Sequence, residues 1–460
     1  MTMKKTMLYL SGRSAARGAW RTATVLTALL TAAPLSAQTV ETRTVWSLSD
    51  CISYALEHNI TVRNSELTMA QRDLDVSSAK GKIMPNVSAQ ASESLSFGRG
   101  LSSSNIYVNQ TTSNTFFQVG LNMPVFQGMR LKNGLDQSRL NLEAATADLE
   151  KVRDDIRVAV AQAYVQILYD IEIRSVAQSQ LFVDSLQVVR LTAMAANGKA
   201  SSAEVSAQEA TYANSRLSFI QADNNLRLAV LDLTQLLELP SPEGFQVVVP
   251  AVYSGKTALT SPEDIYAAAV DVKPQILSEK LRLKSAEKGI SIAKGAFYPT
   301  INFSAGIGSN YYTVDGVQSL SFGEQLKQNF SPSLGLSLNI PIFTGLSNRN
   351  SLRSARLSYE TQQLQLDNAG KTLYKEIQQA YYSAVAAEAK FEGCTAAQKS
   401  AEIAFEQTSA KYENAKANLT EYNEAKNRLT EASSNLAQAR WQYLYQVKLL
   451  DFYRGYDLVF

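Results

Sequence analysis

The 460-residue chain has too few histidines and cysteines for several common kinds of functional site. Its single histidine, His58, excludes a His-rich metal site, and two cysteines, Cys51 and Cys394, are too few for a disulfide framework. Only 11 prolines and an apolar content of 45% argue against disorder. After the amino-terminal segment, no stretch approaches ~18 uninterrupted apolar residues, so the sequence predicts no membrane-spanning helix.

The amino terminus has the composition of an export signal. Basic residues precede the apolar run at 22–33, and Leu35-Ser36-Ala37 offers a cleavage site. We therefore expect a signal peptide at 1–37; a single membrane anchor is the alternative, but the run is short for one. Without the five basic residues of this segment the chain has 39 basic and 42 acidic residues, a balance that argues against a nucleic-acid partner.

The remainder of the chain contains one unit twice. The segment LNMPVFQG around Pro124 returns as LNIPIFTG around Pro341, and the offset between these two prolines also pairs several motifs of other kinds. One offset held through different motifs indicates a duplicated structural unit. We expect two internal repeats, 38–240 and 261–460, joined by a linker at 241–260.

Four segments alternate apolar with small polar residues, which is the period-two pattern of β-strands. The predicted strands are about 87–97, 114–124, 300–310 and 332–342. A half-buried sheet in a soluble sandwich would look similar. The strand length and the small polar second face favour tilted strands of a membrane barrel around a wet lumen. The polar segments 98–113 and 310–330 are predicted to be surface loops.

Each strand pair is followed by a very long helical pattern that then turns back. The predicted long helices are 128–197 and 347–414, and the predicted return helices are 202–237 and 419–452. Roughly 70 residues at ~1.5 Å each make a rod of ~100 Å. Rods of this length need partner helices along them, as in a coiled coil. The predicted junctions between barrel and rod are Pro124, Gly128, Pro341 and Gly345.

Four strands cannot close a barrel, and lipid does not tolerate open sheet edges. Several chains must therefore share one barrel if these strands span a membrane. Two chains would give eight strands with a filled interior, and three would give twelve strands with a lumen. Since every strand pair continues into a rod, the expected assembly is a hollow tube that is anchored in an outer membrane and extends into the periplasm.

The duplicated strand-Pro-Val/Ile-Phe-x-Gly junctions and the two tip motifs, NGKASSAEV at 197–205 and YENAKANLTEY at 412–422, resemble those of the TolC-like outer membrane efflux proteins. The opening motif WSLSDCI at 46–52 is similar to variants from Bacteroides-type bacteria. The resemblance covers nearly the whole mature chain. It implies a homotrimer with a twelve-stranded barrel in outer membrane lipid, continuous with a long α-helical periplasmic barrel.

The resemblance also implies partners and an entrance. The partners would be a periplasmic adaptor (membrane fusion) protein and an inner-membrane transporter of the RND, MFS or ABC type. Glu421 and Glu424 match acidic positions that line the periplasmic entrance in this family. At i and i+3 on one helix face, they would form two acidic rings in a trimer and favour cations. A merely solvated helix face is the alternative.

Other tip residues match a latch that closes the entrance in the family. Glu204 and Tyr412 occupy latch positions, but the latch arginine position is Ala417. The neighbouring Lys416 is the candidate substitute.

The two tip turns differ in sequence. Gly198 permits a left-handed turn at the first tip. Ala415 replaces glycine at the second tip, so that turn is expected either to differ or to carry strain.

No catalytic constellation appears in the sequence, and no metal or cofactor is expected. The predicted function is a passive exit duct of a tripartite efflux pump or a type I secretion system, with an iris-like gate at the helix tips. The alternative is a structural coiled-coil protein that spans the envelope without a pore. An enzyme is the least favoured class.

Overall fold

The computed structural model describes residues 45–101, 105–250 and 259–459. The predicted signal peptide at 1–37 lies outside them. The described ranges form six strands and nine helices. The strands are β1 Val45–Trp46, β2 Asn86–Leu101, β3 Tyr107–Gln127, β4 Gln246–Val247, β5 Thr300–Val314 and β6 Ser331–Asn339. The helices are α1 Leu48–His58, α2 Ile60–Gly81, α3 Arg130–Ala196, α4 Ser202–Leu236, α5 Pro262–Val272, α6 Pro274–Gly295, α7 Phe322–Gln328, α8 Ser347–Glu413 and α9 Leu419–Tyr453.

Four strands form one antiparallel sheet in the order β2-β3-β5-β6. Strands β2, β3 and β5 extend beyond their predicted ends, so the prediction of a loop throughout 98–113 is wrong. The backbone pairing continues after the apolar alternation has stopped, through Ser, Thr and Asn side chains. Alternation marks where one face is apolar, whereas hydrogen bonding alone sets where a strand ends.

The sheet has one apolar and one polar face, as its alternation predicts. Along one register row Leu121 lies beside Ala305, which in turn lies beside Leu334. This face is not covered by a second sheet in the described chain, and Leu334 and Leu336 are 80% and 71% exposed. The opposite face is a concavity of about 290 Å³ lined mainly by Ser, Asn, Gln and Gly. A soluble sandwich would bury the apolar face, so this arrangement suits lipid outside and water inside.

The segment 310–330, predicted to be a surface loop, contains the short helix α7. Its capping box of Ser321 and Glu324 explains where the helix starts. Gln325 donates from Nε2 to the Tyr312 carbonyl at 2.9 Å and accepts from the Tyr312 N–H at Oε1, also at 2.9 Å. The pairing of β5 with β6 stops at Ser331, the first residue of β6. Further along β5, the Gln325 side-chain amide makes the hydrogen bonds that a neighbouring strand would otherwise make.

The rods α3 and α8 have 67 residues each. Each packs against its return helix, α4 or α9, and α3 also contacts α9. Both rods begin after two successive left-handed residues, Gly128-Met129 and Gly345-Leu346. The two repeats therefore use one backbone geometry to turn from sheet to rod. Among the described residues, no helix is both long and apolar enough for a transmembrane span.

A tight core surrounds a two-strand pair that sequence patterning missed. β1 pairs with β4, which lies within the predicted linker at 241–260. Tyr164 of α3 is 2% exposed, and its hydroxyl donates to the Val248 carbonyl at 2.6 Å. Two-residue strands are too short to show a period, so the pair is visible only through such long-range contacts.

The junction between β3 and α3 requires glycine. Gly128 has a φ of +58°, and a Cβ there would lie 2.3 Å from the Gly295 carbonyl oxygen. A Cβ on Gly295 would in turn lie 2.4 Å from the Arg130 side chain. This close approach holds the start of the first rod against the end of α6, next to β5.

We expect Gly128→Ala to destabilise the protein by at least about 1 kcal/mol, because alanine would add both left-handed strain and a backbone clash. Thermal unfolding followed by helical circular dichroism measures the effect. Gly134→Ala is the matched control, since Gly134 lies within α3 and no atom would come within 4 Å of its new Cβ. Equal melting temperatures for the two variants would contradict the steric account.

Candidate functional site at the helix tips

The two tips have the same backbone turn at equivalent positions of the two repeats. Gly198 and Ala415 both adopt the left-handed conformation, with φ of +67° and +58°. The N–H of the next residue donates to the carbonyl five residues back, at 2.8 Å in the first tip and 2.7 Å in the second. The sequence left two possibilities for the second tip, a different turn or the same turn with strain. The first is wrong, because the second tip keeps the same turn with alanine in the left-handed conformation.

Each return helix begins with a capping box. Ser201 and Glu204 cap α4, and Asn418 and Glu421 cap α9 at equivalent positions. The Glu204 carboxylate accepts the Ser201 N–H at 2.7 Å, and that of Glu421 accepts the Asn418 N–H at 3.1 Å. Hydrogen bonds from the Ser201 backbone and hydroxyl lower the pKa of Glu204. Both glutamates are exposed, yet their carboxylates already bind their own helix ends.

Glu424, the second glutamate predicted to line the entrance, has a different kind of partner. Glu424 is exposed and accepts a hydrogen bond from Arg428, one turn further along α9, at 2.7 Å. This i,i+4 pair is readable from the sequence, and it places a positive charge beside Glu424. Glu421 and Glu424 both lie in the first two turns of α9, which begins at Leu419. Their placement in a ring stays a prediction.

Tyr412 connects the second rod to the first. Its hydroxyl accepts a hydrogen bond from Gln187 of α3 at 2.8 Å, and the Arg190 guanidinium lies 5.3 Å from its ring centroid. Its ring also lies 4.9 Å from that of Tyr422 on α9. Burial raises the pKa of Tyr412. The partners on α3 belong to the other repeat, so no local pattern signals them.

The remaining latch candidate is solvent-exposed. Lys416 lies on the second tip turn, and in the part of the chain that the structure describes its side chain has no hydrogen bond or ion pair. Ala417 carries no charge at the latch arginine position. The role of Lys416 in closing the entrance therefore stays a prediction.

Deeper between the rods lies a buried polar cluster that sequence reasoning missed. Asp184 of α3 and Lys426 of α9 form an ion pair, and their side chains are only 1% and 3% exposed. Gln180, Gln208 and Ser215 also donate to the Asp184 carboxylate. Polar residues inside a coiled-coil pattern look like surface positions in a sequence, which is why the cluster gave no signal.

Neither tip carries a metal site in the residues described. Within 45–101, 105–250 and 259–459, no group of three or more His, Cys, Asp or Glu side chains is placed to hold a metal ion. The cluster around Asp184 is occupied by its own Lys, Gln and Ser donors.

Comparisons with known proteins agree with this architecture. The family described as Outer membrane efflux protein matches residues 51–238 and 265–455, which correspond to the two repeats. The chain belongs to the outer membrane efflux protein family. It is 22% identical to Outer membrane efflux protein BepC of Brucella suis biovar 1 (strain 1330), over 75% of this chain and 71% of that one. It is 21% identical to Outer membrane protein TolC of Salmonella enteritidis, over 83% and 77% of the two chains.

Solved structures show the same fold. The Campylobacter jejuni CmeC outer membrane channel superposes with a TM-score of 0.77 at 16% identity, covering 89% of this chain and 86% of that one. The Vibrio cholerae outer membrane protein VceC gives a TM-score of 0.73 at 18% identity, covering 89% and 96%. Family and fold identify an outer membrane channel protein of the TolC type, extending into the periplasm, and not an enzyme.

We expect Ala415→Gly to stabilise the second tip turn by about 1 kcal/mol, because glycine adopts the left-handed conformation without a Cβ penalty. Hydrogen exchange of the tip peptides, read by mass spectrometry, should slow about fivefold. Gly198→Ala is the matched control at the equivalent position and should accelerate exchange by a similar factor. The same direction of change in both variants would refute the strain assignment.

Proposed function

We propose that three copies of this chain form a passive exit duct, in which a shared barrel continues into a tube of six rods. The observation that supports this most directly is the pair of open sheet edges, β2 and β6. Both edges expose backbone donors and acceptors that lipid would leave unpaired. Pairing β6 of one chain with β2 of the next removes all the edges, and three chains give twelve strands.

The duplication supports a specific register for this contact. Gly81 at the end of α2 corresponds to Gly295 at the end of α6, so the strands that follow them, β2 and β5, are equivalent. The strands before the two rods, β3 and β6, are equivalent as well. The paired residues Val87 and Leu121 thus correspond to the pair Ile301 and Leu338. The pairing of β3 with β5 within the chain is accordingly a template for pairing β6 with β2 of the next chain.

The glycines near the sheet support the same template. Gly128 and Gly295 contact each other closely within the chain. At their counterparts, Gly345 and Gly81, an added Cβ would have no atom within 4 Å in the single chain. Each of these counterparts lies next to an edge strand. A neighbouring chain placed by the template would bring Gly345 against Gly81.

The duct function follows from the faces of this assembly. The concave polar face of the sheet would line the lumen, and the apolar face would contact lipid. The rods would carry the passage through the periplasm to an entrance at the tips, where an adaptor and an inner-membrane transporter would dock. Proteins of the TolC type act in this way in efflux pumps and in secretion. Opening would be iris-like, with the tips moving apart.

Cysteines at Leu338 and Ala91 test the trimer. In the template, Leu338 of one chain faces Ala91 of the next, as Leu121 faces Ala305 within the chain. Mild oxidation of the L338C/A91C variant should produce covalent trimers on a non-reducing gel, because paired strand positions bring Cβ atoms within disulfide reach. The native cysteines, Cys51 and Cys394, are first replaced by alanine.

L338C/S92C is the control, since Ser92 neighbours Ala91 but points to the opposite face of the sheet. It should give little cross-linked product. Cross-linking that is equal in both variants, or dimers without trimers, would contradict the proposed register or stoichiometry.

Glu421→Gln with Glu424→Gln tests the entrance. We expect this double variant, reconstituted in a planar bilayer, to show weaker cation preference and weaker block by multivalent cations, because two carboxylate rings are removed. A glutamine at 421 still accepts the Asn418 N–H, so the helix cap is retained. Reversal potentials in a salt gradient measure the preference.

Glu204→Gln is the matched control, because Glu204 has the same capping role in the first repeat. It should change the cation preference less than the double variant does. An unchanged reversal potential and unchanged block in the double variant would contradict the prediction that Glu421 and Glu424 line the entrance. Wild-type protein that forms no channel would favour the structural spacer without a pore.

A further inference from the structure

The four long strands carry only two charged side chains among the residues described, Glu93 and Arg99 of β2. Both belong to the apolar face of the sheet. Val87 pairs with Leu121 on that face, and every second residue of β2 after Val87 shares it, including residues 93 and 99. In the proposed assembly this face contacts lipid, where a charged side chain is costly and usually functional.

The depth of Glu93 follows from the length of the apolar stretch. On this face of β2 the stretch runs from Val87 to Phe97. Ten residues at ~3.3 Å each, tilted by ~40°, rise about 25 Å, which is the height of the apolar band of an outer membrane barrel. The rod α3 starts at the other end of this strand pair, so Phe97 lies at the exterior boundary. Glu93 lies about 10 Å below that boundary, within the outer leaflet.

Two hydroxyl groups of β3 bind the Glu93 carboxylate. Its Oε1 accepts from the Ser113 hydroxyl and its Oε2 from the Thr115 hydroxyl. Thr115 lies directly opposite Glu93, whereas Ser113 is paired with Leu95, two residues nearer the exterior. These bonds use the hydroxyl protons, so the site presents only oxygen lone pairs to the lipid. A carboxylate accepts about four hydrogen bonds, and the two hydroxyls supply two of them.

The site occurs in the first repeat only. In the second repeat all three of its positions are occupied by apolar residues, which are Ile307, Phe330 and Pro332. Ile307 pairs with Pro332 as Glu93 pairs with Thr115. The same strand pair therefore forms without polar side chains at these positions, so the fold itself does not require the carboxylate.

The helix α7 borders the site on the apolar face. The ring centroid of its Phe322 lies 6.2 Å from that of Phe117 on β3 and 5.1 Å from that of Tyr311 on β5. Phe117 is paired with Ala91, which precedes Glu93 on this face. Ala91 is small and exposed beside this aromatic ridge. An acyl chain can therefore lie along β2 with its polar end at Glu93.

The chemistry of the site restricts the lipid that it can bind. Below its phosphate, an ordinary glycerophospholipid presents ester carbonyls, which are acceptors and cannot bind a carboxylate. A lipid with amide-linked or hydroxylated acyl chains presents N–H and O–H donors there instead. Arg99 is exposed and lies beyond Phe97 on the same face, at the level of the lipid phosphates. Glu93 and Arg99 together match a donor below and an anion above.

We propose that the Glu93 carboxylate, held by Ser113 and Thr115, binds the hydroxyl or amide N–H of an outer-leaflet phospholipid that has hydroxylated or amide-linked chains, while Arg99 binds the phosphate. The template places Leu336 of the neighbouring chain opposite Glu93, so each of the three sites would lie beside a seam between chains. This inference rests on the proposed trimeric barrel and adds a ligand on its outer surface.

Native mass spectrometry of the detergent-purified protein counts bound lipids and chains in one spectrum. The probes are lipid A, which has phosphate, amide and hydroxyl groups, and dioleoyl phosphatidic acid, which has only ester carbonyls below its phosphate. We expect wild type to bind up to three lipid A molecules per trimer. E93I should bind lipid A about tenfold more weakly, because it loses charge-assisted hydrogen bonds. Both proteins should bind phosphatidic acid equally.

E93I introduces the residue of the second repeat, so the strand pair should form, and the trimer mass checks this. Gln90→Leu is the matched control, since Gln90 lies on the polar face of β2. It should bind lipid A as wild type does. R99Q should weaken the binding of both lipids, because both have a phosphate.

Equal lipid A binding by wild type and E93I would overturn the proposal. So would loss of lipid A binding after EDTA treatment, which would assign the contact to a bridging divalent cation. Monomers that still bind lipid A through Glu93 would contradict the proposed trimer instead of the lipid site.

Urea unfolding in bilayers gives a second measurement. In phosphatidylcholine bilayers, E93I should unfold at a higher urea concentration than wild type, because a lipid-facing carboxylate without outside donors is costly. Bilayers that contain lipid A should remove or reverse this difference. The same difference between the two proteins in both lipids would contradict donation from the lipid to Glu93.

Discussion

A β-sheet in lipid must pair every backbone N–H and C=O, and this constraint determines the rest of the structure. The chain supplies four long strands and two open edges, so a single copy is incomplete as a membrane protein. Duplication allows one kind of strand contact to pair all the edges. The contact that joins the two repeats within the chain can be used again between chains, because β3 and β6 are equivalent, as are β5 and β2. The rods should repeat around the assembly in the same way as the strands, because α3 follows β3 and α8 follows β6 in the chain.

The parts of the fold that depend on short-range patterns were predictable from the sequence. Apolar residues stepping by three or four gave the rods to within a few residues of α3 and α8, and alternation located all four long strands. Strand ends were less predictable, because pairing through Ser, Thr and Asn leaves no alternation. The helix α7 was hidden for another reason. Its fixed position depends on the Gln325 amide binding a strand edge, which is a long-range contact.

The same distinction holds at the tips. The capping residues Glu204 and Glu421 follow a local S/N-x-x-E pattern, and the Glu424–Arg428 pair follows i,i+4 spacing, so their contacts are readable in the sequence. Tyr412 and Asp184 instead each have a partner in the opposite repeat. A single sequence does not reveal that Lys426 is buried, since lysine on a long helix is normally solvated. Only the packing of three helices identifies it as a partner.

The symmetry of the tips is broken by side chains and not by the backbone. Glu204 and Glu421 occupy equivalent caps, so a perfectly sixfold entrance would present six equivalent carboxylates. The second repeat adds Glu424 and Arg428, whose counterparts are Ala207 and Thr211. Charge selection at a constriction depends steeply on the distance of a carboxylate from the axis, since its potential is screened within about 8–10 Å at physiological salt. The repeat that lies closer to the axis would therefore dominate selection. Because the two repeats have the same backbone turn, the interfaces between helices, and not the turns, must set which tip lies closer.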